Sequence, residues 1–194
     1  MGRLLPYRSA GTDREDTSFL GMVMFLASWV MLFAALFFVY AALRARAPMW
    51  PPDGWRLPVG LPALNTALLL ASSVTLWMGP RDLRAGRPDR LAPWLGATLA
   101  LGILFLVLQC VVWRSVWQGG LHVDTSLYGS VFYALTVFHA LHVVAGLGVL
   151  AWLLRGALRG TYAAARSAPI RVGAMFWHFV DVVWVVLFLG VYVI

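Results

Sequence analysis

The chain has 194 residues, 61% of them hydrophobic and 12% charged, with a mean hydropathy of +0.80. Soluble domains carry about 25% charged residues, so this composition excludes a water-soluble globule and leaves no length for a large extramembrane domain. The formal charge of +7 rests on arginine alone, and the arginines stand at the ends of apolar runs rather than in one patch, which speaks against nucleic acid and for membrane topology and anionic lipid.

Residues 1–16 are polar, with Asp13, Arg14, Glu15 and Asp16 together, and read as a short cytoplasmic tail. The first long apolar run comes too late and is too long for a signal peptide, so none is expected to be cleaved. Uncharged runs then predict spans at about 17–43, 61–79, 91–113, 127–154 and 172–194. About 20 apolar residues cross the hydrocarbon core as a helix, and runs of this length argue helix rather than barrel strand. The expected fold is all-α: a polytopic bundle of five transmembrane helices.

The connections agree with that count. The loop around Trp50-Pro51-Pro52-Asp53-Gly54-Trp55 cannot continue a helix, and its tryptophans suit a membrane interface. Gly79-Pro80 predicts the end of the second helix, and Gln118-Gly119-Gly120 a break after the third. The tail and the loops at 81–90 and 155–171 hold eleven arginines, against four on the other side. By the positive-inside rule the N-terminus is cytoplasmic and the C-terminus outside. The single Cys110 lies mid-span, which leaves no internal disulfide and no Cys-based metal site.

Polar residues inside the spans carry whatever chemistry there is. The last span has two ionisable groups, His178 and Asp181, beside Trp177 and Trp184. Trp177, Asp181 and Trp184 recur at i, i+4 and i+7 and share one helical stripe. Ionisable groups at this depth are expensive, face protein rather than lipid and pair with a neighbour. In the second span Asn65 and Ser72, like Thr66 and Ser73, stand seven apart on one side, where small polar residues let helices approach and bond. A solute path along that face is the other reading.

His139 and His142 in the fourth span, with His178, invite a metal or haem reading. Two axial ligands must stand level on facing helices, and the expected depths of His142 and His178 differ by roughly 9 Å at 1.5 Å per residue. The plainer reading is that these imidazoles hydrogen-bond between helices and to lipid head groups. Asp181 is the only carboxylate within the predicted spans, and one carboxylate is not a proton relay.

Two long motifs resemble subunit III of the haem-copper (cytochrome c) oxidases: 177–184, reading WHFVDVVW, and 128–143, reading YGSVFYALTVFHALHV. The stretch from Leu20-Gly21-Met22 to Ala27-Ser28, the Trp50-Pro51-Pro52 loop, and Leu64-Asn65-Thr66 with Ser72-Ser73 are similar in the same order, so the likeness covers nearly the whole chain. Five spans match the short bacterial form of that family. The resemblance implies a non-catalytic subunit of a respiratory oxidase in the bacterial inner membrane, packed directly on subunit I and assembled with subunit II. Haems and copper would belong to those partners and none to this chain, which would bind phospholipid. Trp177, His178, Asp181, Trp184, His139, His142, Asn65, Ser72 and Ser73 would form a seam facing lipid or a partner subunit. The chain departs from the family at three positions where a glutamate is common: they are Trp29, Val112 and Arg171 here. An accessory subunit of a quinol oxidase or a nitric oxide reductase, or an independent haem-binding redox protein, stays open on these residues.

Overall fold

The structure is a computed structural model that describes residues 10–51, 57–124, 126–162 and 167–193. Backbone polar groups in hydrocarbon must be satisfied within their own segment, and every long apolar run is accordingly helical. The helices are α1 (Ala10–Arg46), α2 (Gly60–Arg84), α3 (Leu91–Gln118), α4 (Leu127–Leu158) and α5 (Ala168–Leu187), the last continued by a π-helical turn over Phe188–Val193. All five are long and apolar enough to cross a membrane, and the described residues include no strand. The all-α, five-span fold is as the sequence predicts. The first nine residues of the expected tail, and positions 52–55 of the proline loop, lie outside the described residues.

The helices overrun the predicted spans at most of their ends, and two of these differences change the reading. α1 begins at Ala10, inside the stretch read as a tail. The predicted stop at Gly79-Pro80 is overturned: α2 runs on to Arg84 with Pro80 inside it. Proline removes one helical donor, but the turn beyond it is tied from outside. Asp82 accepts from the Trp94 indole at 2.9 Å and pairs with Arg87 at 2.8 Å. Termination falls instead at Gly86, whose φ of 74° is the left-handed geometry that lets Arg87 N–H reach the Asp82 carbonyl at 3.0 Å.

α2, α3, α4 and α5 pack in a ring, each on the next, with α5 closing back on α2, while α1 lies outside the ring against α5. Leu69, Leu76, Leu95, Phe105, Phe132, Trp177 and Trp184 fill the ring's interior. α1 attaches by aromatic residues one turn apart. Phe25 meets Phe176 at 6.4 Å, Trp29 meets His142 at 4.2 Å and Phe33 meets Phe179 at 6.2 Å between ring centroids. Its other side, including Met24, Met31 and Phe38, is exposed. In a bilayer that surface is as well solvated by acyl chains as by protein.

α4 starts at a cap made by Ser126, which accepts from Gly129 N–H at 3.1 Å. A side chain at Gly129 would fall on the backbone carbonyl oxygen of His122, whereas one at Gly148 would meet open space. Gly129→Ala is therefore expected to displace the α3–α4 connection and cost about 1–2 kcal/mol. Gly148→Ala is expected to be neutral. Reversible unfolding in mixed micelles measures both, and equal effects would refute the argument.

Candidate functional site: a polar seam between α2 and α5

α2 and α5 run antiparallel, and their polar stripes meet along the shared face. Near the C-terminal half of α5, the Trp184 indole donates to the Thr66 hydroxyl at 2.9 Å. Two turns away, the Trp177 indole donates to the Ser72 hydroxyl at 3.0 Å. Beside it, the Ser73 hydroxyl contacts both His178 Nδ1, at 2.9 Å, and the carboxylate of Asp181. The small residues of α2 supply oxygens, and the large residues of α5 supply N–H groups and bulk. In hydrocarbon an indole N–H or a hydroxyl has no water to turn to, so these pairings hold the two helices in one register.

The Ser73 hydroxyl has one proton. With that proton given to Asp181, the oxygen is left to accept, and His178 must donate through Nδ1–H. The three side chains form a directed chain, His178 to Ser73 to Asp181, that compensates the carboxyl group. Asp181 was expected to pair with a neighbour, and its own helix offers the His178 imidazole and the Trp177 and Trp184 indoles. Its partner is instead the α2 hydroxyl, because both neighbouring indoles point past it to Ser72 and Thr66.

The network continues into α3. Asn65 donates to the Gln109 side chain at 3.3 Å, Gln109 donates to the Tyr192 phenol at 3.4 Å, and Thr75 and Thr98 pair at 2.8 Å. These contacts assign the Asn65/Ser72 face to helix packing rather than to a solute path. Tyr192 and Thr98 were not singled out in the sequence. Their signal is the same as for Asn65, a polar group at helical spacing inside an apolar run. Asp82 was read as a loop residue, because Pro80 was read as a stop.

The histidines separate. His139 is buried against Phe105 and Trp184, with ring centroids at 6.2 and 5.1 Å, and neither nitrogen has a partner among the described side chains. His142 bonds the Phe138 carbonyl of its own helix at 2.7 Å and packs on Trp29 and Phe33 of α1. Only His178 bonds to another helix. The expectation that all three bridge helices is corrected for His139 and His142, which act as flat rings in aromatic packing. The three rings keep different neighbours. Among the described residues no three His, Cys, Asp or Glu side chains are grouped for a metal ion.

The seam is an interior feature. Trp177 and Trp184 are fully buried, as are Asn65 and Ser72, and Asp181 is 3% exposed. Its place is between two helices of one chain, and the margin that reaches the outer surface is Ser73 and His178, both half-buried. The expected lipid- or partner-facing seam is thereby reduced to those two residues.

Comparison with known proteins bears on what this bundle belongs to. The family model described as cytochrome c oxidase subunit III matches residues 14–194. The chain is 37% identical over 181 residues to cytochrome c oxidase subunit 3 of Synechocystis sp., covering 92% of this chain and 76% of that one. It is 35% identical to the probable cytochrome c oxidase subunit 3 of Nocardia farcinica, covering 98% and 95%. It is 34% identical to that of Mycobacterium tuberculosis, covering 100% and 96%. With a family match over residues 14–194, relatives above 30% identity and five membrane-length helices, the chain belongs to the cytochrome c oxidase subunit III family, and so is a multi-pass membrane subunit of a haem-copper oxidase.

Proposed function

We propose that this chain is a non-catalytic core subunit that stabilises subunit I of a respiratory terminal oxidase, contacts subunit II and binds lipid. The complex reduces oxygen and translocates protons, with haems and copper held by the partner subunits. Its setting is the bacterial inner membrane, with the N-terminus and the arginine-rich loops in the cytoplasm.

The observation that carries this reading is the use made of the polar groups. Nearly every polar side chain of the α2–α5 seam holds one helix of this chain to another, which makes a fixed scaffold rather than a reaction centre. The three positions where the family often has glutamate support it. Trp29 packs edge-on against His142, Val112 is fully buried in the core, and the Arg171 guanidinium lies 5.5 Å over the Phe19 ring. Any carboxylate role deep in the bundle falls to Asp181.

Extraction in mild detergent tests the reading. The chain is expected to co-purify with a haem-bearing subunit, and by itself to give no Soret band. Recovery of a stable, folded chain alone would overturn the subunit reading, and a Soret band from the isolated chain would favour the haem-binding alternative. Mass spectrometry of the co-purified subunits separates a cytochrome c oxidase from a quinol oxidase or a nitric oxide reductase.

A further inference from the structure

Between the last turn of α1 and the first turn of α4 there is an open pocket of about 480 Å³. Leu43 and Arg46 line it from α1, Met49 and Trp50 from the loop that follows, and Leu127 and Tyr128 from α4. Its aromatic wall is already in place. The Trp50 indole donates to the Tyr40 hydroxyl at 3.2 Å, and its ring stands edge-on to Tyr128 with centroids 5.0 Å apart. The Ser126 cap fixes the start of α4 beside it. Two large apolar side chains stay open at the rim, Met49 at 59% and Leu127 at 58% exposed. Met49 lies past the end of α1 and Leu127 is the first residue of α4, so both stand at the end of the bundle rather than along its flank. Arg46 is the only lining residue that carries a charge, and it has no ion pair among the described residues.

We propose that this pocket is a docking site for a partner subunit of the oxidase, which inserts one bulky apolar side chain and places a carboxylate beside Arg46. The inference rests on the reading of this chain as a core subunit and says where one of its contacts lies. Tryptophan, tyrosine, methionine and arginine are the residue types enriched where proteins meet, and all four line this pocket. A preformed wall lowers the cost of ordering on binding. One positive charge beside apolar walls selects a negative partner and turns a positive one away. The lining reaches only from Leu43 to Trp50 and from Ser126 to Tyr128. On α1 that is three residues, roughly 5 Å of helix, which accommodates a side chain and gives an acyl chain no trough along the bundle.

Photo-cross-linking in the purified oxidase complex provides the test. Met49→p-benzoylphenylalanine puts a reactive ring at the rim of the pocket, and mass spectrometry identifies the peptide it captures. A single partner subunit is expected, joined through a peptide that carries Asp or Glu close to the cross-linked position. Retention of that subunit through a salt wash is the second arm. Arg46→Gln is expected to lower it about tenfold, which corresponds to roughly 1.4 kcal/mol. Arg46→Lys keeps the charge and is expected to keep most of the retention. Arg114→Gln, near the end of α3 and outside the pocket, is expected to behave as wild type. Adducts to lipid alone, a captured peptide without an acidic residue, unchanged retention in Arg46→Gln, or an equal loss in Arg114→Gln would each overturn the proposal. A wild-type preparation without partner subunits overturns the reading of the chain as a core subunit. Partners present but never cross-linked overturn the docking site alone.

Discussion

Trp177→Ala is expected to cost about 3 kcal/mol, the low end of the range for deleting a buried tryptophan. The indole is fully buried and its ring edge closes against two glycines on neighbouring helices. A Cβ built on Gly102 would meet it at 2.6 Å, and one on Gly146 at 2.9 Å. The low end applies because lipid solvates apolar side chains as well as protein does. What is lost is close packing and the bond to Ser72, not the transfer from water. Trp177→Phe keeps most of the volume and drops only the donor, so about 1 kcal/mol is expected. Reversible unfolding in mixed micelles measures both, and a loss in Trp177→Ala no larger than in Trp177→Phe would sink the packing argument. Gly146→Ala by itself forces the ring aside. Combined with Trp177→Ala it should cost clearly less than the sum, with a coupling of about 1 kcal/mol or more.

Ser73→Ala is expected to cost about 2–3 kcal/mol, although it removes a single oxygen. That oxygen serves two side chains at once, and without it His178 Nδ1 and the Asp181 carboxyl both lose their partner in a low-dielectric setting. Ser73→Thr keeps the hydroxyl and should be mild. The decisive variant is Ser73→Ala/Asp181→Leu. Replacing both partners by apolar groups removes the stranded carboxyl, so the double variant should be more stable than Ser73→Ala alone. A double variant as unstable as the sum of its parts would show that the two residues do not form a unit. Retention of the subunit in the purified oxidase is a second readout, and it should follow the same order.

Much of this was legible in the sequence because lipid simplifies the rules. With no water in the hydrocarbon, a 20-residue apolar run has essentially one conformation open to it, and the five helices follow from length alone. The same cost argument singled out Asp181, His178, Asn65 and Ser72 as residues needing protein partners, and each is found facing a neighbouring helix. Pro80 shows where local rules give way. Its effect on a helix depends on what holds the next turn, and here that is Trp94 and Arg87, twelve and five residues beyond Asp82 in the chain.

Pairing was beyond the sequence. A stripe at i, i+4 and i+7 says that Trp177, Asp181 and Trp184 look the same way, but not which helix they look at. Only the ring closure of α5 on α2 decides that Ser73, rather than an indole or an imidazole, compensates Asp181. His139 and His142 make the same point, since three residues of spacing on one helix put one ring in the core and the other against α1. The sequence by itself determined the class of protein, the number of crossings and the polar groups that need partners. Backbone satisfaction and the cost of a charge in hydrocarbon act locally along the chain. The tertiary structure alone decided which groups meet and which of them reach the surface, because a hydrogen bond between helices is set by their register and rotation, and those depend on the packing of the whole bundle.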